Sequence, residues 1–223
     1  MRTRMPLLAA VLLLLLAAPA HAVEVAATVE PADGVRYGAE TLVTGRLTDA
    51  GAPLGAQPVV LDGLRYPFTG EWQPLATETT GADGAFTFAH ELDRNHRLRV
   101  RHEPTGVAGA ELRAFVFPSF RLSFEEVRAG VIRITQTYQV PRDVRLRAQT
   151  LFYVGPQSRW RARLRARVPT RRLRPGRYRA VARVRIPASY GGRFRYVSCF
   201  RYTPGSGMGD PRRRCPRRFY RVR

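Results

Sequence analysis

The sequence predicts an all-β protein, two antiparallel β-sandwiches in tandem behind a cleaved leader, on three observations. Short segments of alternating apolar and polar residues recur along the chain, divided by Gly, Pro and Asp turns. Charge breaks sharply near Phe117-Pro118: residues 23–118 hold 8 Arg against 13 acidic residues, and residues 119–223 hold 28 Arg against Glu125, Glu126, Asp143 and Asp210. The first residues carry an export signature. The predicted divisions are therefore 1–22, 23–118 and 119–223.

Arg2 and Arg4 form a basic start, Leu7 to Ala18 an apolar run, and Ala20-His21-Ala22 the small-x-small triplet that signal peptidase prefers. The run is shorter than the roughly 20 residues that span a bilayer, and Pro19 closes it. The expectation is a Sec-type signal peptide and a secreted or extracytoplasmic mature chain that begins near Val23, with no transmembrane segment.

In residues 23–118 the candidate strands are Val23 to Glu30, Thr41 to Leu47, Gln57 to Asp62, Trp72 to Thr79, Ala85 to Leu92, Arg97 to His102 and Glu111 to Phe117. Asp83-Gly84 reads as a tight hairpin before the alternating Phe86 and Phe88, its glycine supplying a positive φ. Val43-Thr44-Gly45-Arg46-Leu47, Gly51-Ala52-Pro53-Leu54, Val59-Val60-Leu61 and Asp83-Gly84-Ala85-Phe86 resemble bacterial immunoglobulin-like and carboxypeptidase-regulatory-like modules of secreted proteins. The resemblance spans about Glu40 to Val100 and implies a seven-stranded sandwich that serves as spacer or binding module, with no catalytic residues.

Residues 119–223 alternate more strictly. Trp160, Leu164 and Val168 fall on one face of a strand, with Arg161, Arg163 and Arg165 on the other; Tyr178, Ala180, Ala182 and Val184 oppose Arg177, Arg179, Arg183 and Arg185. A helix would spread those arginines around its whole circumference, so period two is the better reading. Ile132, Ile134, Tyr138 and Val140 form a third face, Val144, Leu146, Ala148, Phe152 and Val154 a fourth, and Phe194, Tyr196 and Phe200 another. Leu173-Arg174-Pro175-Gly176-Arg177-Tyr178 is similar to the Leu-x-Pro-Gly-x-Tyr corner of fibronectin-type and other immunoglobulin-like sandwiches. That resemblance implies that Tyr178 opens the penultimate strand, that its hydroxyl returns to backbone near the turn, and that Phe194 to Tyr202 is the last strand.

The chain's two cysteines, Cys199 and Cys215, are expected to form a disulfide that ties the C-terminal tail to that strand. No hydrolase, zincin or P-loop motif is present, so no enzyme, cofactor or metal is expected. Gly205-Ser206-Gly207-Met208-Gly209 reads as a flexible loop. His90 and His102 are in phase with apolar neighbours and could face one another across a hairpin, an ordinary placement for histidine.

The arginine rows hold the functional expectation. Arginines two apart on a strand and opposite one another on neighbouring strands form a lattice of guanidinium forks that repels itself unless anions fill it. Arg161, Arg163, Arg165, Arg179, Arg183 and Arg185 are the candidate anion-binding residues, sharing one exposed face, and the partner is an anionic polymer or an envelope component. The alternative is a structural immunoglobulin-like spacer of a secreted assembly, without a specific ligand. The chain has no Lys, so a genomic preference explains Arg as the base used. It does not explain the sign of the charge, since the same preference accompanies an acidic first half.

Overall fold

The structure, a computed structural model, describes residues 22–145, 148–156, 164–187, 194–202, 205–209 and 220–222. The signal-peptide reading of residues 1–22 falls, except for Ala22, outside them. The described chain is all β, and no described helix is long and apolar enough to cross a membrane.

Before Pro118 one sheet contains β1 (Val23–Glu30), β3 (Glu40–Asp49), β4 (Ala52–Pro53) and β7 (Ala85–Glu91), with both β1 and β7 antiparallel to β3. The facing sheet runs β6 (Gln73–Thr79), β5 (Pro58–Arg65), β8 (His96–His102), β9 (Leu112–Ala114). A short parallel pair, β2 (Val35–Arg36) with β10 (Val116–Phe117), closes the end next to Pro118. The pattern along β8 shows why these residues make a strand: His96, Leu98, Val100 and His102 are buried while the arginines between them are half-buried. Leu47, Leu61, Phe88 and Leu98 are fully buried between the sheets, each worth roughly 1.5–3 kcal/mol of transfer free energy.

After Pro118, β11 (Ser119–Arg128), β12 (Val131–Gln139), β16 (Arg177–Arg185) and β15 (Arg171–Arg174) form one antiparallel sheet in that order. β14 (Leu164–Pro169), β13 (Ala148–Pro156), β17 (Phe194–Tyr202) and β18 (Tyr220–Val222) form the other. Taken in chain order, these are the A-B-E-D and C′-C-F-G sheets of an immunoglobulin-like sandwich, and the first half has the same plan without a D strand. Among the described residues no strand crosses Pro118.

Several expectations are corrected by this topology. Gly84 does take a positive φ of 77°, but the Asp83-Gly84 turn is no hairpin: β6 pairs with β5 and β7 with β3, so the turn passes between sheets. His90 on β7 and His102 on β8 likewise belong to different sheets and do not oppose one another across a hairpin. Pro175-Gly176 joins β15 to β16 within one sheet, with Arg174 paired to Arg177 across it, so Tyr178 opens the E strand and not the penultimate one. Its hydroxyl does return to backbone, donating to the Val144 carbonyl at 2.9 Å, but in the connection after β12. β18 pairs with the start of β17 and displaces β17 as the last strand.

The largest departure is the glycine-rich segment. Residues 206–209 are buried, and they pack into the first sandwich. Asn95 N–H donates to the Gly207 carbonyl at 2.8 Å, Asn95 Nδ2 donates to the Gly209 carbonyl at 2.8 Å, and Gly209 N–H donates to the Val116 carbonyl at 2.8 Å. Asn95 Oδ1 in turn accepts the Val116 N–H at 2.9 Å. Met208, 4% exposed, belongs to the continuous apolar cluster. Glycine is required at 207, since a Cβ there would stand 2.7 Å from the Tyr66 ring, and its φ is +67°. Composition marked a loop correctly; burial is what it did not show.

A candidate anion-binding surface

The outer face of the β11-β12-β16-β15 sheet is built by simple alternation. Along β16, Tyr178, Ala180, Ala182 and Val184 are buried and Arg177, Arg179, Val181, Arg183 and Arg185 are exposed. Aromatic and small apolar side chains fill the core, which leaves the intervening positions no direction but solvent. Register then sets the neighbours. Arg179 stands opposite Arg171 on one side and Thr137 on the other, with Arg121 beyond Thr137. Arg177 stands opposite Arg174, and Arg183 opposite Arg133.

Like charges directly opposite on a sheet destabilise it, so the available acids decide how the face is neutralised. Glu125 bonds Arg133 at 2.8 Å. Glu126 accepts the Gly130 N–H at 2.9 Å. Asp143 points across the junction, paired with Arg94 and with Arg65 of the first sandwich. Among the described residues no acid pairs with Arg171, Arg174, Arg177, Arg179, Arg183 or Arg185.

The first sandwich uses arginine differently. Arg99 and Arg101 flank the buried Asp62, each at 3.3 Å, and Arg99 also lies 4.4 Å from the centre of the Trp72 ring. Arg97 meets Glu111 at 3.5 Å and lies 5.0 Å from the Phe68 ring centre; Arg46 meets Asp83 at 3.4 Å; Arg36 covers Phe120 at 4.7 Å. Arg65 pairs with Asp93, whose hydrogen bond and charge raise the guanidinium pKa above its ordinary value against a smaller opposing effect of burial. Arginine is thus matched to acids and rings at these positions before Pro118, whereas Arg171, Arg174, Arg177, Arg179, Arg183 and Arg185 have no acid partner among the described residues.

The six candidate arginines divide accordingly. Arg179, Arg183 and Arg185 stand together on the outer face of β16. Arg165 lies on β14, in the other sheet, so it does not share the β16 face. Arg161 and Arg163 lie outside the described residues, as does Cys215 of the expected disulfide; Cys199 falls on β17.

No family model matches the chain, and no curated protein does. Among solved structures it is similar to the "D0-D1 domain of Intimin", with 11% identity, a TM-score of 0.34, and coverage of 84% of this chain and 95% of that one. The immunoglobulin-like assignment rests on the strand order above.

Arg121, Arg133, Arg171 and Arg174 are the members of this surface that sequence reasoning missed. Their signal was present in part, since β12 and β15 carry basic residues. Only the register shows that Arg133, Arg171 and Arg174 oppose the β16 row and that Arg121 lies one strand further out. His96 and His102 serve structure: His96 Nδ1 donates to the Arg94 carbonyl at 2.8 Å, and His102 Nδ1 lies 2.9 Å from Thr105 Oγ1. Among the described residues no group of three or more His, Cys, Asp or Glu could hold a metal ion.

Proposed function

We propose that this chain is an exported, non-enzymatic binding module of two immunoglobulin-like sandwiches, divided at Phe117–Ser119, whose second sandwich holds anionic polymers of the cell envelope or its surroundings on the β11-β12-β16-β15 face. The observation that carries the reading is the directly opposed Arg171–Arg179 and Arg174–Arg177 pairs, which have no described acid to separate them. Phosphate, sulfate or carboxylate groups spaced along a polymer would sit between such forks and relieve the repulsion. Arg161, Arg163 and Arg165 are further candidate contacts for the same anions.

The rival reading, a rigid spacer without a ligand, draws on the junction, where Asn95, Met208 and the Arg94–Asp143 pair fasten one sandwich to the other. Retention on immobilised heparin separates the two. The Arg179→Gln/Arg183→Gln/Arg185→Gln variant should elute at clearly lower salt than the parent while melting at the same temperature. Equal elution, or a parent that passes through at low salt, leaves the spacer reading standing.

A further inference from the structure

An open cleft of about 450 Å³ lies beside the Pro175-Gly176 turn, lined by Tyr37, Gln139, Arg142, Arg174, Gly176 and Arg177 among others. Its lining contains no carboxylate. The arginines come from three places: Arg174 and Arg177 end the two strands of the hairpin, and Arg142 follows β12. Tyr37 reaches it from the first sandwich, its backbone N–H held by the Phe117 carbonyl at 2.8 Å.

The cleft is held in shape. The Gly176 carbonyl accepts the Val140 N–H at 2.9 Å, and the turn presses so closely that a Cβ on Gly176 would stand 2.7 Å from the Val140 carbonyl oxygen. The segment carrying Arg142 is fixed by Val144 N–H on the Pro141 carbonyl at 3.1 Å and by the Tyr178 hydroxyl on Val144. Asp143, the nearest acid in sequence, is engaged by Arg94 and Arg65. A positive, concave and already organised site lowers the ordering that a ligand must impose.

We infer that this cleft is a discrete site for one tetrahedral oxyanion group, phosphate or sulfate, gripped by Arg142, Arg174 and Arg177 beside the Tyr37 ring. The inference deepens the polyanion reading and rests on it: the sheet face holds a polymer along its length, and the cleft takes a single charged group. Guanidinium forks that converge from different directions can bond several oxygens of one oxyanion at once, which a flat row of arginines does not.

The test uses the full mature chain at low salt, titrated with inorganic phosphate, inorganic sulfate and, separately, vesicles of phosphatidylcholine with phosphatidic acid. The parent should show one saturable site per chain for the free ions, or for the phosphatidic acid headgroup alone if the group is presented by lipid. The Arg142→Gln/Arg174→Gln variant should weaken that binding by roughly tenfold or more, since each charge-assisted bond contributes on the order of 1.5–3 kcal/mol. Arg183→Gln/Arg185→Gln should leave the oxyanion site unchanged and lower heparin retention. Oxyanion binding unaffected by Arg142→Gln/Arg174→Gln, or no saturable site in a parent that still binds heparin, overturns the cleft alone. A parent that binds neither oxyanions nor heparin overturns both readings.

Discussion

Asn95 and Gly209 lie 114 positions apart in sequence, and the Asn95 side-chain amide donates to the Gly209 carbonyl at 2.8 Å in a buried contact. The same side chain accepts the Val116 N–H, so one residue satisfies buried backbone groups of both sandwiches. Replacing Asn95 by Ala leaves a donor and an acceptor buried without partners, and should lower stability by about 2–4 kcal/mol. Chemical denaturation measures it; a change below about 0.5 kcal/mol would mean that the segment 205–209 is not docked in solution.

Met208 provides an independent check of the same junction. It is an apolar side chain inserted from the second half into a core shared with the first. Met208→Ala should destabilise by about 2–5 kcal/mol, as large-to-small changes in packed cores do. Cooperative unfolding of both sandwiches in one transition is expected of the parent, and separation into two transitions of the variant.

Tyr178→Phe removes the hydroxyl that reaches the Val144 carbonyl at 2.9 Å. With the ring volume kept, the change removes the hydrogen bond to Val144, and stability should fall by about 1–3 kcal/mol because a buried carbonyl loses this partner. The denaturation midpoint should drop with its slope unchanged.

His96 gives stability a pH dependence with a definite sign. The ring is buried, and burial pushes its pKa below the ordinary value, with smaller opposing effects from the Arg94 carbonyl and Asp93 and lowering ones from Arg65 and His90. The unfolded chain therefore takes up this proton first. The His96 contribution is complete above about pH 6.5 and is lost as pH falls from there toward the lower folded value. Unfolding free energies measured between pH 5 and 7 should show a positive slope that is reduced in His96→Gln.

How far the sequence could be read follows from the range of each interaction. Alternation is a local property, so the strands around Phe86 and Phe88, and the exposed row Arg177, Arg179, Arg183 and Arg185, were legible. The partner of a strand is not local. The same alternation fits a hairpin or a passage between sheets, so alternation alone does not give the connections that Asp83-Gly84 and Tyr178 make. Arg165 and Arg179 read as one lattice for the same reason, although their strands are in different sheets. The segment 205–209 was least legible: glycine and serine promise mobility, and only the distant Asn95 and Tyr66 convert them into a close-packed contact.

Whether the arginines of the β11-β12-β16-β15 face meet a polyanion is measured most directly by affinity for a DNA duplex, as a generic polyanion, against salt concentration. Each phosphate neutralised releases counterions, so log affinity should fall with log salt by about 0.9 per contact. The parent should bind at low salt with a steep slope, and Arg171→Gln/Arg179→Gln/Arg183→Gln/Arg185→Gln should bind more weakly with a slope lower by several contacts. A parent without affinity at low salt, or a variant with the parent's affinity and slope, would mean that this face does not bind polyanions.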